Sequence, residues 1–191
     1  MTTWSIELPL VFDTDVLSCF LWTGHEVLLN QLYPNGIVLD VVEFEINKVP
    51  PLREALTRIR NRGWLDFQSV DATSDIGHEY MGLTATSRKP SPLGRGESAV
   101  MAWVRCRGGT VASNNLRDVR RYCQQHALPF MTIRAMVADA VLNRDCLTLD
   151  DAERFWRKMR AARRRLPCDT AEEAIEYYLK NPQHVLAQWR D

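Results

Sequence analysis

The 191-residue sequence has no apolar run approaching ~18 residues, so no membrane-crossing segment is expected. Its opening, MTTWSIELPLVFDTD, lacks a basic start. Asp13 and Asp15 fall where a secretion signal would keep its apolar stretch, so secretion is not expected either. No Cys-x-x-Cys occurs. The five cysteines (Cys19, Cys106, Cys123, Cys146, Cys168) are odd in number and widely spaced, which argues against a disulfide framework or structural zinc. They read as the reduced thiols of a cytoplasmic protein, part of them in the core. The histidines (His25, His78, His126, His184) show no ligand spacing and no nucleophile partner, leaving Ser-His-Asp and Cys-His chemistry unsupported. Gly94-Arg95-Gly96-Glu97-Ser98 lacks the Lys-Ser/Thr ending of a phosphate-binding loop. Internal repeats and low-complexity tracts are absent.

What remains is an ordinary globular composition, 46% hydrophobic and 25% charged, of a length that suits one domain with an appended element. The 24 basic and 24 acidic side chains cancel, yet they are segregated. Residues 1–50 carry seven acids (Glu7, Asp13, Asp15, Glu26, Asp40, Glu43, Glu45) against Lys48 alone, whereas residues 105–165 carry fourteen bases against six acids. Folding two such segments together can set an acidic pocket beside a basic rim, an arrangement suited to a cation bound next to a polyanion. Segregated charge also serves merely to solvate a surface.

Short apolar runs alternate with helical spacing. Residues 8–12, 37–39, 110–112 and 129–132 read as strands. Helices are expected from Val16 through Leu21, from Val41 to Ile46, over 53–62 up to Gly63, from Gly94 to about Cys106, through Val119 and Tyr122, and over 133–142. Another is expected from the Thr148–Asp151 cap to about Arg165, and a last one in AEEAIEYYLKN before Pro182. The polar stretch 69–91, closed by Pro90 and Pro92, reads as irregular with a short helix. This alternation predicts an α/β fold: a three-layer α/β/α sandwich with a central, mostly parallel sheet and a C-terminal helical extension. Sites in such sheets lie beyond the carboxyl ends of the strands. Asp13, Asn114 and Asn115 all fall there.

Asp13 directly follows an apolar strand, a position that also suits a helix cap. Glu45 comes within two turns of the second strand, and Glu43 and Glu45 fall on different helix faces. Glu97 occupies a first helical turn, where the helix dipole favours its ionised form. Asp118 comes shortly after the third strand. Carboxylates gathered at one edge repel unless a cation neutralises them, and an all-oxygen set selects Mg²⁺ or Mn²⁺. Such an ion can activate water and stabilise charge on a phosphate.

VFDTDVLSCFL resembles the opening strand and helix of PIN-domain nucleases. IVLDVVEFEI resembles their second strand and acid-bearing helix. LGRGESAVMAW is similar to the glycine-rich opening that carries their central Glu, and VASNNLRDVRRYCQQHALPFMT to the segment that holds their fourth site position. Order and spacing match over about residues 8–165, giving a PIN-like nuclease domain over 1–166 and a helical tail over 167–191. The resemblance implies an Mg²⁺- or Mn²⁺-dependent endoribonuclease in which Asp13, Glu45 and Glu97 are the first, second and third acids. Glu43 is a rival for the second. The fourth position departs from the family pattern: Asn114 or Asn115 stands where an Asp is usual, and an amide brings no charge. Asp118, a turn further on, either supplies the missing carboxylate or is a solvated residue paired with Arg121.

On this reading Asp13, Glu45, Glu97 and Asp118 are catalytic, with Asp13, Glu97 and Asp118 on the metal. Asn115 orients water or phosphate, and Thr14 bonds the first acid or a metal-held water. Asp15 is read as a cap. Arg95 is a phosphate contact, as are Arg157 and Arg160 of the arginine-rich helix. Phe155 and Trp156 of that helix either stack bases or pack inward with Met159. The expected partners are RNA, a second copy in a homodimer, and, as with many small PIN proteins, an antitoxin. A catalytically impaired RNA-binding or regulatory module is the alternative that the asparagine pair favours.

Overall fold

The structure, a computed structural model, describes residues 6, 8–85, 93–164 and 166–180. Five parallel strands form one sheet in the order β3-β2-β1-β4-β5. They are β1 (Leu10–Phe12), β2 (Ile37–Leu39), β3 (Asp66–Gln68), β4 (Thr110–Ala112) and β5 (Phe130–Met131). The central pair, β1 and β4, is in register from Leu10 opposite Thr110 to Phe12 opposite Ala112. All of β1, β2, β4 and β5 is buried, as expected of strands covered on both faces. Edge strand β3 is partly exposed.

Helices α1 (Thr14–Thr23) and α2 (Glu26–Leu32) join β1 to β2, and α3 (Asp40–Asn47) and α4 (Pro50–Asn61) join β2 to β3. The chain then reverses. Helices α5 (Asp75–Thr84) and α6 (Arg95–Arg107) carry it back past β1 to β4, and α7 (Leu116–Gln125) leads on to β5. Right-handed crossovers on the two arms of such a sheet place their helices on opposite faces. In keeping with this, α1, α3 and α4 pack together, as do α5, α6 and α7. The result is the three-layer α/β/α sandwich. The reversal between β1 and β4 is its topological switch point, where two crossovers part and leave a crevice at the strand ends.

After β5 come α8 (Ile133–Leu142), α9 (Leu149–Ala161) and α10 (Ala171–Lys180). Thr148 and Asp151 close α9 with a reciprocal capping box, the spacing legible in the sequence. Phe155, Trp156 and Met159 are wholly buried, so the aromatics of the arginine-rich helix pack inward and offer no stacking platform. Helix α10 packs against α8 and α9 and buries Ala171, Ala174, Ile175 and Tyr178. The Arg134 guanidinium of α8 sits 3.9 Å from the Tyr177 ring centre. The segment read as a tail from 167 therefore belongs, as far as 180, to the same packed core. Pro90, Pro92, Arg165, Pro182 and His184 lie outside the described residues.

Three elements depart from expectation. Strand β3 and helix α2 have no counterpart among the predicted elements, and α5 fills ten residues of the stretch read as mainly irregular. All five cysteines are free thiols, and Cys19 and Cys123 are buried. No described helix is long and apolar enough to cross a membrane.

Candidate active site

Strand β1 delivers Asp13 to the crevice. Its backbone N–H still donates to Ala112 O at 2.9 Å, while its side chain caps α1. Oδ1 accepts the Thr14 N–H at 2.7 Å, and Oδ2 accepts the Ser113 hydroxyl, from the end of β4, at 2.9 Å. The cap reading of Asp13 thus holds, and the same carboxyl lines the crevice. With 3% of its surface exposed, this carboxyl is fixed by both central strands.

The phase of α3 decides between its two glutamates. Glu43 points to α4 and pairs with Arg60 at 2.6 Å. Glu45 turns to the crevice, where its Oε2 accepts the Thr14 hydroxyl at 2.6 Å. Thr14 therefore fixes the second acid through its side chain and the first through its backbone.

Glu97 enters from the first turn of α6 beside Gly96, whose missing side chain is what lets the acids converge. A Cβ on Gly96 would lie 2.8 Å from Asp13 Oδ1, 3.1 Å from Glu45 Oε2 and 3.2 Å from the Thr14 hydroxyl oxygen. Any larger residue would push α6 away from β1 and α3. The opening turns of α1 and α6 both present backbone N–H groups here, and their dipoles favour negative charge.

The asparagines do different work from that expected. Asn114 is a brace: its N–H donates to Asp15 Oδ2 at 2.9 Å, and its Oδ1 accepts the Ile133 N–H at 2.8 Å. Asn115 spends its amide N–H₂ on Glu97 Oε1 and on Asp118 Oδ2, so that amide faces carboxylates and not a phosphate. Asp118 joins the cluster only through this link and lines neither cavity of the crevice.

Asp15, read from the sequence as a cap, belongs to the site. Asp13 holds the cap position. Asp15 lines both cavities of the crevice, and its Oδ1 is buried with no hydrogen-bond partner among the described residues. The signal was present in Asp-Thr-Asp at a strand end.

The arginines at the rim also differ from those expected. Arg157 donates to its own helix at Glu153 O. Arg160 is taken by Asp169, through the backbone oxygen at 3.0 Å and the carboxylate at 3.3 Å. Neither lines the crevice. Arg163 and Arg164, just past α9, do. Together with Asp15, Cys19, Glu97, Asn114 and Asn115 they line a cavity of about 500 Å³. Arg164 also lines the adjoining cavity of about 370 Å³ that contains Asp13, Glu45, Arg95 and Gly96, and it donates to the Ser18 hydroxyl at 3.3 Å. Arg95, exposed at the start of α6, lines the second of these cavities.

Burial raises the Asp13 carboxyl well above the ordinary range, and the charges of Asp15 and Glu97 raise it further, against the Ser113 and Thr14 hydrogen bonds. Asp15 is pushed up to about 6, mainly by burial, with Glu97 adding to the rise while the Asn114 and Val16 N–H groups and Arg164 oppose it. Burial raises Glu97 too, helped by Asp118 and Glu45 and opposed by Asn115 and Gly94. Carboxylates so placed lack positive charge, and Arg164 alone does not supply it.

A hard divalent cation fits this donor set in kind: every donor is oxygen, the charges are undercompensated, and one buried oxygen is unpartnered. Among the described residues no three Asp, Glu, His or Cys side chains form a ready ligand cage. Mg²⁺ does not require one, since it commonly takes one or two carboxylates and keeps several waters. Comparison with protein-family models, curated proteins and solved structures returns no match to this chain.

Proposed function

We propose that this protein is a divalent-cation-dependent endoribonuclease that hydrolyses RNA phosphodiester bonds at the crevice between β1 and β4. The observation that carries this reading is the meeting of Asp13, Asp15, Glu45 and Glu97, from three separate chain segments, around the side-chain-free Gly96. The resemblance to PIN-domain nucleases in the sequence supports it independently of the geometry.

One or two of Asp13, Asp15 and Glu97 would hold Mg²⁺ or Mn²⁺ directly, with water completing its shell, and the ion when bound supplies a water of lowered pKa and neutralises charge building on the phosphate. The chain's own groups do the rest. Ser113 and the Thr14 N–H fix the orientation of Asp13, and the Thr14 hydroxyl fixes Glu45. Asn115 holds Glu97 and Asp118 apart as a neutral spacer. Arg164, standing between the two cavities, receives a non-bridging phosphate oxygen, and Arg163 and Arg95 extend positive charge along the strand. Asp15 Oδ1, buried with no hydrogen-bond partner among the described residues, is the oxygen that would face the cation. The cytoplasm, where the thiols stay reduced, is the proposed location, and a homodimer with an antitoxin partner is the proposed assembly.

One observation favours a second reading. The amide of Asn115 sits where a fourth charge would strengthen metal binding, as in a module that binds RNA without turnover. Incubating the protein with RNA and Mn²⁺, with and without chelator, separates the two. Cutting by the parent that disappears with chelator and in Asp13→Asn supports the enzyme. RNA binding without cutting, unchanged by chelator, supports the module.

A further inference from the structure

Next to the acid crevice and its two cavities lies a third cavity, of about 300 Å³, walled by α3, α5 and the start of α6. It reaches the lower end of the range typical of small-ligand sites. Glu45 and Arg95 line both this cavity and the crevice, so the two adjoin. Phe44, on the outer side of α3, keeps 60% of its surface in solvent. The Lys48 Nζ lies 4.4 Å from its ring centre. Tyr80 of α5 is the second aromatic in the wall. A phenyl ring left uncovered on an otherwise amphipathic helix gains nothing for the fold. With a second aromatic and two cations around it, the ring has the composition of a surface that stacks unpaired bases and holds their phosphates.

We propose that this groove is a nucleobase subsite: an unpaired base of single-stranded RNA stacks on Phe44, next to Tyr80, while Lys48 and Arg95 contact the flanking phosphates. The strand then runs from the groove past Glu45 to the acid crevice. The assignment rests on the ribonuclease reading and adds to it a base-binding groove, walled by Phe44 and Tyr80, beside the acid crevice. Two acids also line the groove, each with an oxygen held by a donor of the fold. Asp40 Oδ1 is occupied by the Val41 N–H at 2.8 Å and the Val70 N–H at 3.3 Å. Glu45 is turned into the acid cluster by Thr14.

The test is fluorescence anisotropy of a labelled ten-nucleotide oligoadenylate RNA with the full chain in Ca²⁺ buffer, where binding is read without turnover. An abasic oligomer of equal charge serves as the control. The expected results are weaker binding of the abasic strand, a loss of about tenfold in affinity for oligoadenylate in Phe44→Ala, and recovery in Phe44→Trp. Lys48→Gln is expected to flatten the salt dependence by about one phosphate contact. Phe44 is exposed, so circular dichroism should show Phe44→Ala folded as the parent is. Equal affinity of the parent for the abasic and base-bearing strands, no binding at all, or affinity unaffected by Phe44→Ala overturns the proposal; the last outcome would point to a protein on this surface. Cleavage in Mn²⁺ is scored separately, so loss of the ribonuclease reading and loss of the subsite are told apart.

Discussion

Asp15 is held by a contradiction: one oxygen accepts the Asn114 N–H at 2.9 Å, and the other is buried with no partner among the described residues. Its folded pKa of about 6, against 3.8 unfolded, sets the sign of a pH effect. A raised carboxyl pKa favours the fold fully below pH 3.8, and that contribution is lost as pH rises through about 6. In metal-free buffer Asp15→Asn is therefore expected to be more stable than the parent at pH 7.5, by on the order of 2–3 kcal/mol at most. The advantage should vanish near pH 4, as urea denaturation at the two pH values would show. A parent that stays as stable as Asp15→Asn at pH 7.5 would refute the electrostatic account. Gly96 gives a second prediction. Alanine raises helix propensity by up to ~1 kcal/mol, but its Cβ would meet Asp13 Oδ1 at 2.8 Å, and crowding in packed surroundings typically costs about 1–3 kcal/mol. The clash should win, so Gly96→Ala is expected to melt lower and to lose Mn²⁺ stabilisation.

The end of α9 shows how an element can aim a side chain. Arg163 adopts a left-handed backbone, φ 56°. Its N–H bonds Arg160 O at 2.8 Å, and the Arg164 N–H bonds Met159 O at 3.0 Å, the paired closure usually built on glycine. A non-glycine residue there costs roughly 1 kcal/mol or more. Here it turns the chain so that Arg163 and Arg164 face the acid crevice. Arg163→Gly is expected to raise the melting temperature while weakening RNA binding; a fall in stability, or unchanged binding, would count against that role. This turn also explains why the sequence pointed to Arg157 and Arg160 and not to the arginines that line the crevice. Arg157 and Arg160 sit on a legible helix face, but no glycine announced the reversal after Ala162. Elements with continuous apolar triplets, such as Leu10–Phe12 and Ile37–Leu39, were legible as strands. Strand β3, Asp-Phe-Gln, was not: it has one apolar side chain and is held in place by pairing to β2, including Asp66 N–H to Gly36 O at 2.9 Å. Glu43 and Glu45 stayed ambiguous for a similar reason, because only packing of α3 against α4 and α6 sets the helix phase.

Across the whole molecule, the segregation of charge along the chain becomes a gradient in space. Acids from the first half meet in the crevice, and the basic segment supplies Arg163 and Arg164 to its rim. The switch point makes this possible, since β1 and β4 are neighbours in the sheet while about a hundred residues apart in sequence. A single divalent ion would relieve the mutual repulsion of Asp13, Asp15 and Glu97, and binding to the folded state alone stabilises it further as the free ion concentration rises above its dissociation constant. Thermal unfolding at pH 7.5 with increasing Mn²⁺ therefore tests the central claim most directly. The account predicts a melting temperature of the parent that climbs with the logarithm of Mn²⁺ concentration once the site is filled, a rise absent in Asp13→Asn and in Glu97→Gln. A melting temperature indifferent to Mn²⁺, or a rise of equal size in those variants, would contradict it.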